Sequence, residues 1–199
     1  MEDKKIQLPE ADVLQHELNR LNNRRAFFKV LYSTIASLLV VAALAVLISM
    51  LFLPVLRVTG TSMMPTLQNE DLVVCQKRGS FEQGDVIAFY YNNKILLKRV
   101  IAVSGDYVDI DDNGNVWVKK QGEDEYQMLD EPYVTEKALG ECDITLPYQV
   151  PDQRIFVMGD NRATSIDSRS TTVGCVSEES VVGKVTLRLW PLGSIGLVG

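Results

Sequence analysis

Histidine is nearly missing from this chain: there is one in 199 residues, His16, alongside three cysteines, Cys75, Cys142 and Cys175. Three widely spaced cysteines fit neither a disulfide framework nor the close spacing of a zinc site. Buried or free thiols are the simpler reading, and a Cys142 to Cys175 bridge is the alternative. Charge is missing from residues 30–56, VLYSTIASLLVVAALAVLISMLFLPVL, which hold no Asp, Glu, Lys or Arg. At about 1.5 Å of rise per residue, the part before Pro54 is ample for a hydrocarbon core of roughly 30 Å. It also exceeds the about 7 to 15 apolar residues of a cleaved signal peptide.

A single transmembrane helix over 29–56 is therefore expected, with the lipid bilayer as a partner. Arg20, Arg24, Arg25 and Lys29 precede the apolar run and only Arg57 follows closely, so the positive-inside rule puts segment 1–28 in the cytoplasm. The rest, 57–199, is then an extracytoplasmic domain on a single-pass membrane protein. Leu8, Leu14, Leu18 and Leu21 among polar neighbours suggest a short amphipathic helix, or a brief helix pair, over 8–25.

With His16 on the cytoplasmic side, no histidine is left for a nucleophile in 57–199. Ser-His-Asp and Cys-His mechanisms are excluded there, and so is a histidine-bearing metal site. Asp109, Asp111, Asn113 and Gly114 imitate the start of a calcium loop, but Lys120 stands where the bidentate Glu belongs. No metal or other cofactor is expected. Residues 57–199 carry 14 Lys or Arg against 21 Asp or Glu. A domain at -7 has no electrostatic footprint for a phosphate backbone, so nucleic acid is not an expected partner.

Beyond the apolar run the pattern changes to short stretches rich in Val, Ile, Phe and Tyr, bounded by Gly, Asp and Asn. Strands are predicted at 71–75, 85–91, 95–103, 107–110, 116–119, 154–158 and 181–190, and the domain is mainly β. Asn113-Gly114 reads as a type I′ hairpin turn between 107–110 and 116–118. Residues 120–153, acidic and carrying Pro132, Gly140, Pro147 and Pro151, read as loops within an excursion from the main sheet around 104–153. Trp190, Leu192, Ile195 and Leu197 are read as strand core, with a membrane-dipping surface as the alternative.

What remains for catalysis is a serine activated by something other than histidine. Taken alone, Ser62 in Gly60-Thr61-Ser62-Met63-Met64-Pro65-Thr66-Leu67 is a turn serine. In Ile95-Leu96-Leu97-Lys98-Arg99-Val100-Ile101, strand alternation puts Lys98 on the face of Leu96 and Val100. Either its stem packs while the ammonium reaches water, or it stays buried, and burial then lowers its pKa and makes it a general base. The third element, Gly159-Asp160-Asn161-Arg162-Ala163-Thr164-Ser165-Ile166-Asp167-Ser168-Arg169, is on its own a surface turn with an Asp167 to Arg169 ion pair.

Together these elements resemble the bacterial type I signal peptidases, membrane-anchored Ser-Lys proteases. The resembling blocks are Ser62 to Leu67, Gly84-Asp85-Val86-Ile87, Lys98-Arg99-Val100-Ile101 with Gly105-Asp106, Glu131-Pro132-Tyr133, and Gly159 to Arg169. In order after one membrane anchor, they span nearly all of 55–199.

The resemblance implies a serine endopeptidase that removes signal peptides from exported preproteins. It implies Ser62 as nucleophile, Lys98 as base, and Ser165 as the serine bonded to the lysine ammonium. Asp167 and Arg169 would be a structural ion pair, Met63 would border the substrate pocket, and the Ser62 backbone N–H would serve the oxyanion hole. It also implies small residues, often Ala-x-Ala, before the cut. Gly60 stands where some members have a serine that completes the oxyanion hole, which leaves the second donor open. Ala163 and Thr164 replace a frequent Asp and Asn, with no expected effect on the chemistry. The competing reading is an inactive anchored β-domain that binds exported proteins. A self-cleaving Ser-Lys repressor would need a DNA-binding domain where this chain has its apolar helix.

Overall fold

A computed structural model describes residues 11–77 and 80–198, in two units, Met1–Met50 and Leu51–Gly199. The first holds helix α1, Ala11–Phe52. Within it, Leu14–Ser49 reaches a mean hydropathy of 2.5 with none of that window buried, so it is long and apolar enough to cross a membrane. Two expected boundaries need correction. Residues 11–25 form no separate helix or helix pair: they belong to α1, because neither Gly nor Pro interrupts residues 11–52. Residues 8–10 lie outside those described. The helix expected over 29–56 stops at Phe52, since Pro54 restricts the residue before it and has no N–H to give, and Val55–Arg57 form strand β1.

The second unit is antiparallel β. After β1 come β2 (Leu72–Gln76), β3 (Val86–Tyr91), β4 (Lys94–Ala102), β5 (Tyr107–Ile110), β6 (Val116–Lys119), β7 (Gln127–Met128) and β8 (Tyr148–Gln149). They are followed by β9 (Arg154–Met158), β10 (Val176–Ser177), β11 (Val181–Trp190) and β12 (Gly196–Leu197). The larger sheet runs β1-β2-β11-β3-β4-β9-β10, with β12 on β11, and a four-stranded sheet runs β7-β6-β5-β8.

Period-two alternation sorts the side chains. Val86 and Ala88 of β3 join Met63, Leu67 and Leu97 in one cluster. Ile87 and Phe89 face Val100, Ile155 and Val157 on the other side. Phe156 and Met158, the alternate residues of β9, meet Val108, Ile110, Val116 and Val118 of the smaller sheet.

The hairpin at Asn113 forms, but not as a type I′ turn. Ile110 pairs with Val116, so the connection has five residues, and only Gly114 has positive φ there (78°). Asp111 organises it by accepting from the backbone N–H groups of Asn113 and Asn115. The two-residue turn with positive φ at both positions lies instead at Asn92 (44°) and Asn93 (60°), between Tyr91 and Lys94. The core reading of the C-terminal residues is also corrected. Trp190, Leu192, Ile195 and Leu197 are exposed. β11 changes register twice along β2, between Val185 and Leu187 and again between Arg188 and Trp190, so the inward alternation is lost there. All three cysteines are free.

Candidate active site

Ser62 lies on the turn that follows β1 and is half-buried. The turn is fixed from below, because Met63 and Leu67 are in the apolar core and Leu67 N–H donates to the Met63 carbonyl. The Ser62 carbonyl accepts from Asn161 N–H at 3.0 Å, tying the turn to the loop after β9. No hydrogen bond occupies the Ser62 N–H or hydroxyl among the described residues. Gly60, at φ +94°, gives its N–H to the Asn69 side chain, so that N–H is already engaged.

Lys98 reaches the same place from β4. It is 3% exposed, so its ammonium does not extend into bulk water, and Nζ donates to Ser165 Oγ at 2.9 Å. Burial pulls its pKa from the ordinary 10.5 down to about 8, against the opposing pull of Asp167.

Gly159 explains how the serines come close. A Cβ at Gly159 would fall within 3.0 Å of both Ser165 Oγ and the Ser62 carbonyl, so only a residue without a side chain lets these two segments meet.

Asp167 and Arg169 do not form a surface turn; both are fully buried. Arg169 Nε donates to Asp167 Oδ1 at 2.8 Å and Nη2 to Oδ2 at 2.9 Å, while Gly159 N–H also reaches Oδ2. Burial pushes the Asp167 carboxyl up, but these donors outweigh it and hold the group below the usual carboxylate range.

Two further buried pairs carried no assigned role in the sequence. Arg99 grips Asp160 through Nε and Nη2 at 2.9 and 2.8 Å and lies 3.8 Å over the Tyr133 ring. Asp160 also accepts from Thr66, on the Ser62 turn. Arg162 forks onto Glu131, which accepts from Tyr133 as well. The signal for these was the set of charged residues inside otherwise apolar or turn segments. What hid the partners was separation, with Arg99 and Asp160 lying 61 positions apart.

A cleft of about 460 Å³ opens beside Ser62, lined by 56–60, Met63 and 93–97. Along it β4 has a free edge. β4 pairs with β3 throughout, but with β9 only from Arg99 on, so no described strand covers the other side of 94–98. No cysteine lines the cleft, and burial pushes the Cys75 and Cys175 thiols up to about 11.

A buried amine near a serine turn that borders a cleft is an arrangement suited to cutting peptide bonds, and known relatives define the class as peptidase. The family model described as "Signal peptidase, peptidase S26" matches residues 31–190. The chain belongs to that family. It is 30% identical to signal peptidase I U of Bacillus subtilis (strain 168) over 81% of this chain and 88% of the relative. It is 36% identical to signal peptidase IB of Staphylococcus aureus (strain COL) over 67% of this chain and 76% of the relative. A crystal structure of a signal peptidase I from Enterococcus faecalis V583 aligns with a TM-score of 0.43 at 27% identity, covering 54% of this chain and 98% of that one.

Proposed function

We propose that this protein is a membrane-anchored signal peptidase in which Ser62 is the nucleophile and Lys98 the general base. The observation that carries the reading is Lys98, a lysine kept from water on an apolar strand and bonded to Ser165, which Gly159 brings against the Ser62 backbone.

Neutral Lys98 takes the Ser62 proton as Oγ attacks the carbonyl before the scissile bond, and the Ser62 N–H donates to the developing oxyanion. The resulting ammonium protonates the departing amine, which leaves as the new N-terminus. Water, deprotonated by Lys98, then attacks the ester and releases the signal peptide from Ser62. Ser165 orients the ammonium, and Met63 borders the pocket for the residue before the cut. Asp167 and Arg169 hold the loop in place. The substrate enters extended and adds a strand along the open edge of β4. The apolar helix crosses the bilayer once, with the N-terminus in the cytoplasm and the β-domain outside.

The test is cleavage of a detergent-solubilised preprotein with an Ala-x-Ala site by wild type, Ser62→Ala and Lys98→Ala, with the product N-terminus read by mass spectrometry. Cleavage after the second Ala by wild type alone is expected. Folded wild type that cuts nothing while retaining the preprotein would favour the inactive binding domain instead.

A further inference from the structure

We propose that Lys94 is a specificity residue, favouring an acidic side chain on the substrate about four residues before the bond that is cut. The proposal rests on the peptidase reading above and extends it to the start of β4.

The cleft is short of acid. Its lining includes the apolar Val58, Met63 and Leu97 and two basic residues, Arg57 and Lys94, and no Asp or Glu lines it. Arg57 is already held in an ion pair by Glu70. Lys94 has no ionic partner among the described residues and is exposed. Its position is nevertheless fixed, because the tight Asn92-Asn93 turn pairs Tyr91 directly with Lys94 and makes Lys94 the first residue of β4.

The open edge sets the register. A strand laid along 94–98 advances about 3.3 Å per residue, so roughly 13 Å and four substrate residues separate the positions beside Lys98 and Lys94. The half of the substrate that stays esterified to Ser62 through deacylation is the half before the cut. It is therefore the half that the cleft must hold. The whole chain has a formal charge of -6, which repels acidic substrates at long range. Lys94 is a local exception that acts within a screening length of about 8 Å at physiological salt.

The experiment uses the full chain in detergent and a peptide series with an Ala-x-Ala site, carrying Glu, Gln or Lys at the fourth residue before the cut. Ratios of kcat/KM between peptides are read within each variant, so overall activity cancels. Wild type is expected to favour Glu over Lys about three- to fivefold at low salt, chiefly through KM, with the preference shrinking at high salt. Lys94→Gln should flatten the ratio and Lys94→Glu should invert it. A wild-type ratio near one, or one unchanged by Lys94→Gln, overturns the proposal while the peptidase reading stands. If folded wild type cleaves no peptide in the series, both fall.

Discussion

Where the smaller sheet meets β9, Val108, Ile110, Val116 and Val118 pack on Phe156 and Met158 in an apolar cluster. Around the loop after β9, Arg99, Arg162 and Arg169 are just as deeply buried, and each is forked onto a carboxylate. The apolar region is held by shape and area, which are non-directional. The charged region is held by directional bonds, and no buried side-chain polar atom among the described residues lacks a partner. A catalytic amine needs the second kind of surroundings, because hydrogen bonds fix atoms to a few tenths of an ångström. Such bonds also let Asp160 and Asp167 lie near Lys98 with their charge offset by Arg99 and Arg169.

The comparison is broken most completely at Lys98. Lys98→Arg keeps a long cation but never offers a neutral nitrogen, so turnover should fall by about a thousandfold or more, read as kcat on a preprotein. Retained turnover would remove the general-base role. Next is Arg162→Met, which strands Glu131 in the interior and should cost about 3 to 5 kcal/mol in urea unfolding. The double variant Glu131→Leu with Arg162→Met should recover most of that loss, whereas additive losses would mean the pair is not the unit.

Burying Lys98 itself opposes folding. Its pKa falls from 10.5 to about 8 on folding, so at pH 7 the folded state carries a disfavoured ammonium. As pH rises from about 8 to 10.5 the unfolded chain binds more protons than the folded one, so this penalty fades. Lys98→Met should therefore stabilise the fold by about 3 kcal/mol at pH 7. The gain should disappear above about pH 10.5, and a gain independent of pH would assign the effect to packing. The smallest effect belongs to the apolar side. Ile110→Val should cost about 0.5 to 1.5 kcal/mol and leave the pH dependence of cleavage unchanged.

The same contrast explains what was legible in the sequence. Strands 107–110, 116–119, 154–158 and 181–190 were readable because alternation is a local signal. The two- and three-residue strands β1, β7, β8, β10 and β12 were not, since they exist only through a partner. Lys98 stood out as a charge on an apolar face. Arg99 with Asp160, and Arg162 with Glu131, stand in recognisable motifs but show no partners in the sequence, because long-range ion pairs leave no periodicity. The exposed apolar residues near the C-terminus misled for the opposite reason. Their pattern suits a strand interior, but exposure depends on which face a neighbouring layer covers.

The open edge of β4 has a consequence for solubility. An unpaired row of backbone donors and acceptors is a template on which any extended chain can grow, including another copy of the same domain, and such edges seed aggregation. Here the row is short, shares its cleft with residues 56–60, and begins at a lysine, a residue common among gatekeepers. A chain that grows on this edge must first enter that cleft and meet that charge, which limits the edge as a seed.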